Sequence, residues 1–280
     1  ALAQSEARLR DLVPAATRMP PGDAEVRVHG RLDAAALHLA EARLRLGDTR
    51  LEASGEATLA EPYRIDAKGT VARLRPGQWL PEALAADPRL RDGVLNGTWT
   101  IAGRVAPGFD SVVSLELADS TLAGKPLSAR VRSRVALAQS GAPRRVEEAD
   151  GQIRLGDNRL RVRGGLGQPA DRLAIELALA DLAEVEPRLE GKASLIGELA
   201  GSFDSLRAKA TLTAERIAMA AEGDPLRIGS LRIDADLPAT GEFAPRSAVD
   251  VGIRLRAVQA AGRELSSVEL KTRGTVAAHR

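Results

Sequence analysis

The sequence reads as an all-β protein: an elongated antiparallel sheet with short helical connectors. Three observations predict this. Apolar and charged residues alternate through most of the 280 positions, the period-two signature of strands with one apolar and one solvated face. Two segments recur. Gly97 to Ser111 (GTWTIAGRVAPGFDS) returns at Gly191 to Ser205 (GKASLIGELAGSFDS), and Leu44 to Gly55 (LRLGDTRLEASG) returns at Ile153 to Gly164 (IRLGDNRLRVRG). The offsets, 94 and 109 positions, differ, as they do in a stacked β array carrying insertions and not in one enzyme domain.

Residues 1–19 lack alternation and read as a helical connector, 20–76 as a first β module, 77–92 as a helical or loop connector, 93–180 as a second module, 181–190 as a third connector and 191–280 as a third module. The modules are repeats and not separable domains, because each sheet edge is expected to continue into the next. Pro14, Pro20, Pro21, Pro76, Pro81, Pro88 and Pro187 gather in or beside the connectors, where no ladder hydrogen bond is lost.

In the first module Gly47-Asp48 suits a type II′ hairpin, with Gly at the position that needs positive φ. Leu46 then pairs with Thr49. Leu44, Leu46, Leu51 and Ala53 fall on one face, and Arg43, Arg45, Arg50 and Glu52 on the other. The related hairpin repeats this with Leu155, Leu160 and Val162 against Arg154, Arg159, Arg161 and Arg163. Further alternation marks strands at 65–71, 95–105, 113–117, 127–137, 173–179, 193–199, 206–214, 226–237, 249–255 and 268–276. Gly97 and Gly103 share a face with Trp99, Ile101 and Val105, as Gly191 and Gly197 do with Leu195 and Leu199. Glycine on an apolar sheet face marks a bend or a close backbone approach, or else a loosely packed spot under the Trp.

Composition narrows the function. Aromatics are 2% and hydrophobics 44%, so the apolar face is built of Leu, Val, Ile and Ala. Basic residues number 40 and acidic residues 38, interleaved to a net charge of +2; with almost no rings to stack on bases, this argues against nucleic-acid binding. Without Cys there is neither a disulfide framework nor a thiolate metal site. No apolar run of about eighteen residues reads as a membrane span, and no segment reads as a signal peptide.

No catalytic constellation emerges. His29 and His38 have no carboxylate at metal-ligand spacing, His279 lies at the end of the chain, and no G-x-S-x-G elbow occurs. Gly164, Gly165 and Gly167 read as a turn, since a phosphate cradle needs a helix to follow. Asp48 and Asp157 belong to hairpin loops. Asp110 and Asp204 belong to Phe-Asp-Ser corners, where an Asx bond to the backbone is expected. The Arg rows Arg130, Arg132, Arg134 and Arg159, Arg161, Arg163 could meet lipid phosphates, but alternating Arg also keeps a solvated β face soluble, which is the favoured reading. No catalytic residue, metal site or cofactor is expected.

The Gly-punctuated strands ending in Phe-Asp-Ser, the entries Gly124-Lys125-Pro126-Leu127 and Asp224-Pro225-Leu226, and the LGDxRL hairpins together resemble the TamB family of translocation and assembly module proteins, of the AsmA-like group. The resemblance covers most of residues 20–280 and is one of repeat style. It implies a curved, open gutter-like β body in the periplasm, tethered to the inner membrane by an anchor this chain lacks, and an outer-membrane TamA-type barrel partner. It also ties the chain to phospholipid movement and to assembly of outer-membrane proteins, and places it as an interior segment. On this reading Leu44, Leu46, Leu51, Ile101, Val105, Leu155, Leu160, Val162, Leu195 and Leu199 line a groove for phospholipid acyl chains, and Arg at Leu46 or Leu160 blocks passage with the fold intact. A scaffold that templates outer-membrane β-proteins along a sheet edge is the alternative, and a closed solenoid with an aliphatic core is a third possibility.

Overall fold

A computed structural model describes residues 24–78, 92–106, 108–219, 226–239, 248–260 and 262–275; the connectors expected at 1–19 and over most of 77–92 fall outside them. Fifteen strands follow in chain order: β1 (Ala24–Leu32), β2 (Ala36–Leu46), β3 (Thr49–Thr58), β4 (Tyr63–Leu74), β5 (Leu95–Ala106), β6 (Phe109–Leu122), β7 (Lys125–Leu137), β8 (Pro143–Leu155), β9 (Asn158–Leu166), β10 (Arg172–Leu179), β11 (Leu189–Ala200), β12 (Arg207–Met219), β13 (Leu226–Pro238), β14 (Ala248–Ala260) and β15 (Arg263–Thr275). They form one antiparallel sheet in sequence order from β1 to β15, so among the described residues its two end strands are open edges.

The alternating segments all become strands. Gly47 and Gly156 both sit at φ +56 while neither following Asp is positive, which is the type II′ arrangement expected for the two LGD hairpins. Leu46 pairs with Thr49 and Leu155 with Asn158, as the hairpin register requires. The difference between the two offsets also has a structural location. β10 has 8 residues where β4 has 12, and the connector at 180–188 is shorter than the one at 75–94; together these account for the fifteen residues by which 109 exceeds 94. In place of a helix, the connector at 181–190 holds a single 3-10 turn, Leu182–Glu184, begun by the Asp181 side chain accepting from the Ala183 N–H.

The Phe-Asp-Ser segments correct the expectation of two like corners. Phe109 opens β6, so Asp110 is a strand residue, and its carboxylate takes the Arg134 guanidinium bidentately at 2.8 and 3.2 Å. Phe203 does lie in a turn, where the Ser202 and Ser205 hydroxyls meet at 2.8 Å. Gly164 and Gly165 are likewise not a turn but the end of β9, opposite a bulge, and only Gly167 starts the loop.

Contacts group the chain into two compact units, Ala1–Arg104 with Ser114–Ala129, and Val105–Val113 with Arg130–Arg280. In the first unit the strands kink where β4, β5 and β6 carry irregular residues. Arg73 and Asp119 adopt left-handed φ of +56 and +49. Their freed backbone groups are taken up by side chains: Asn96 Oδ1 accepts from the Arg73 N–H at 2.8 Å, Asn96 Nδ2 donates to the Asp119 carbonyl at 2.6 Å, and the Thr49 hydroxyl donates to the Arg73 carbonyl. Ser120 closes the row on the Asn96 backbone, which explains why Thr49 and Ser120 are buried although polar. Gly69 lies beneath the Trp99 ring; a Cβ there would stand 2.6 Å from it, so close approach and not loose packing explains a glycine at this site.

The second unit kinks by bulges. Glu147 and Glu148 on β8 oppose Gly165 alone, with Glu148 at φ +50, and the Ser133 hydroxyl donates to the Glu147 carbonyl. Arg216 and Ile217 on β12 oppose Gly191 on β11, where an added Cβ would meet the Glu215 and Arg216 carbonyls at 2.7 and 2.6 Å. Asn158 fastens the β8–β9 turn to the connector, its Nδ2 donating to Glu184 Oε2 at 2.8 Å and its Oδ1 accepting from the Ala180 N–H at 2.9 Å. Asn158→Ala removes both of these bonds at a buried position, and a loss of about 1–3 kcal/mol in urea unfolding is expected; a loss under a few tenths would contradict this role.

Candidate functional site: an uncovered aliphatic face

Among the described residues neither unit has a second layer over its apolar face. The buried apolar side chains among the described residues are four leucines (Leu46, Leu127, Leu166, Leu182) and three alanines (Ala36, Ala129, Ala214), too few to be the packed interior of a closed solenoid. The other described aliphatic side chains are half-buried or exposed.

Register lines these side chains up. In the second unit Ile153, Leu160, Leu177, Leu195, Leu212, Ile233, Ile253 and Leu270 are direct partners from β8 to β15. None of the eight is buried. One row to the side run Gly151, Val162, Ile175, Gly197, Ala210, Ala235 and Val251, and beyond them Gly164, Leu173, Leu199, Ala208 and Leu237. Cross-strand pairs of this kind stabilise the sheet by roughly 0.2–1 kcal/mol each, and here they also make a continuous hydrocarbon surface. In the first unit Val26, Leu44, Leu51 and Val71 form a shorter row from β1 to β4.

Nine of the ten residues expected on this face are at least partly accessible. Leu44, Leu51, Ile101, Leu155, Leu160, Val162, Leu195 and Leu199 are half-buried, and Val105 is 38% exposed. The exception is Leu46, 3% exposed beside Thr49 at 1%, which serves as packing under the hairpin tip. Leu160 and Leu195 share one row through Leu177, while Val162 and Leu199 lie in the neighbouring rows. Leu177, Leu212, Ile233, Ile253 and Leu270 complete the long row. Their alternation is visible in the sequence, but their alignment depends on a register the sequence does not state.

The opposite face is a lattice of exposed ion pairs: Arg163 with Asp150, Arg172 with Glu198, Arg207 with Asp236 at 2.7 Å, Arg254 with Glu269, and Arg273 with Asp250 at 2.6 Å. Such pairs contribute little stability singly, but they keep that face wetted. Asp234 is the most perturbed of these carboxylates. The Arg232 guanidinium beside it, then the Thr211 hydroxyl at 2.7 Å, pull its pKa down to about 2. A carboxylate whose pKa falls on folding contributes stability above its unfolded pKa and loses it as pH drops to the folded value. Asp234→Asn is therefore expected to shallow the fall of the urea midpoint between about pH 4 and 2; identical acid limbs for variant and parent would refute that.

No chemistry-bearing cluster competes with the aliphatic face. His38 does have carboxylate neighbours that sequence spacing hides, Asp33 and Glu56, both at 3.3 Å and one of them across the strand pair. No group of three or more His, Asp or Glu poised for a metal occurs among the described residues, and no helix among them is long and apolar enough to cross a membrane.

A sheet of strands in sequence order, with one face ion-paired and the other aliphatic and uncovered, defines a β scaffold that presents an extended apolar surface. Residues 15–280 match the family model described as TamB, N-terminal domain, and the chain belongs to the TamB family. No curated protein and no solved structure matches it.

Proposed function

We propose that the chain is a non-enzymatic periplasmic bridge segment whose aliphatic face shields phospholipid acyl chains on their way between the inner and outer membranes. The observation that carries this is the uncovered eight-residue row from Ile153 to Leu270. Moving two acyl chains of about sixteen carbons through water costs on the order of 25 kcal/mol at about 0.8 kcal/mol per CH₂. A surface that covers the chains at every step lowers that cost, and one without convergent polar groups avoids trapping a headgroup. Eight strands about 4.8 Å apart extend such a row over about 34 Å. In the second unit Val105, Leu155, Leu160, Val162, Leu195 and Leu199, and in the first unit Leu44, Leu51 and Ile101, are the proposed lining of each unit's own aliphatic face. Membership of the TamB family supports the periplasmic setting, a tether to the inner membrane and a TamA-type partner reached through other parts of the full-length protein.

A second reading has its own observation. β15 is an open edge whose Leu265 and Leu270 are 54% and 56% exposed, as a strand that templates outer-membrane β-proteins requires. Photo-crosslinkers at Leu195 and at Ser266 separate the two. Lipid adducts at Leu195 with none at Ser266 support the bridge; peptide adducts at Ser266 with no lipid at Leu195 support the scaffold and overturn the bridge.

A further inference from the structure

The LGD hairpins carry a feature that lipid shielding leaves unused. In the first, Arg45 and Arg50 are direct cross-strand partners flanking the turn; in the second, Arg154 and Arg159 are. Like charges placed directly opposite destabilise a strand pair, and their Cβ atoms stand about 5 Å apart. Several arginines elsewhere on this face meet carboxylates: Arg43 takes Glu41 and Glu52, Arg163 takes Asp150, and Arg207 takes Asp236. Among the described residues no carboxylate lies within ion-pair distance of any of the four tip arginines. Glu25, the partner of Arg45 across β1, is turned to Arg27 at 2.5 Å, and Asp48 in the first turn is taken by Arg75 at 3.4 Å. The first pair also borders a hollow of ≈ 310 Å³ shared with Arg27 and Arg43 and with the carboxylates Glu25 and Glu52, which those two arginines hold.

We infer that each hairpin tip is a binding site for a phosphate group, held between the paired guanidiniums of Arg45 with Arg50 and of Arg154 with Arg159. A guanidinium offers a planar fork of donors that matches phosphate oxygens, and two forks facing one another need an anion between them to offset their repulsion. The paired guanidiniums lie at strand ends on the charged face, so a bound phosphate sits on the side of the sheet opposite the aliphatic face. A phospholipid headgroup and free phosphate share this chemistry, and the site does not depend on the aliphatic face carrying lipid.

The 280-residue chain is titrated with inorganic phosphate at constant ionic strength, by equilibrium binding and by thermal melting, and separately with phosphatidylcholine vesicles with and without phosphatidylglycerol. Saturable phosphate binding that raises the melting temperature is expected, with each double variant, R45Q/R50Q and R154Q/R159Q, losing affinity at its own tip by at least about tenfold. R207Q/R273Q, an equal change of charge at two carboxylate-paired sites, is expected to bind like the parent. Tip-dependent binding of phosphatidylglycerol vesicles alone identifies the phosphate as a headgroup and supports the site. Parent protein that binds neither probe overturns the inference, as does R207Q/R273Q weakening binding as much as the tip variants do.

Discussion

Arginine at Leu160 is expected to strip acyl chains from the protein while leaving it folded. Leu160 stands in the middle of the long row, between Ile153 and Leu177, and its side chain is half-buried with open space above. With nothing packed over it, a guanidinium can rise into water on its own stem, so stability should change by no more than about 1 kcal/mol. A lipid tail laid along the row must instead desolvate that charge, at a cost of several kcal/mol. Retained phospholipid should therefore fall at least about tenfold, with the urea midpoint close to that of the parent. Unchanged retention would remove the row from the transport path.

The same substitution at Leu46 is expected to fail differently. Sequence alternation makes Leu46 and Leu160 equivalent, both on the aliphatic face of an LGD-type hairpin, but Leu46 is 3% exposed and lies against the buried Thr49 that fastens Arg73. A charge placed there has no partner and no route to solvent, and a loss of about 3–5 kcal/mol is expected, enough to unfold a marginal domain. Urea melts of L46R and L160R side by side check both expectations. Similar midpoints for the two would show that the hairpin tip is no better packed than the row.

That contrast marks how far the sequence carries. Alternation specifies strands because a strand has period two, and the Gly-Asp tips specify hairpin register because Gly takes positive φ at the first turn position. Both are local, so all the alternating segments became strands and Leu46 met Thr49. The alignment of Leu177 with Leu195 and Leu212 is not local. It depends on loops of unlike length and on bulges at Glu148 and Arg216, left-handed residues that composition does not distinguish from their neighbours. The Phe-Asp-Ser copies separate for a related reason. Gly108 directly precedes Phe109, so the chain has turned before β6 starts, whereas Gly201 stands one position further from Phe203 and the turn extends through Ser205. The uncovered aliphatic face was legible only as an alternative to a closed core, because alternation is the same whether or not a second layer lies above it.

Native mass spectrometry of the purified 280-residue chain bears most directly on whether that face holds hydrocarbon. Phospholipid bound to the parent and absent from L160R is the expected result. A parent that carries no lipid, and takes up none when offered detergent-solubilised phospholipid, would contradict the proposal that the face serves lipid.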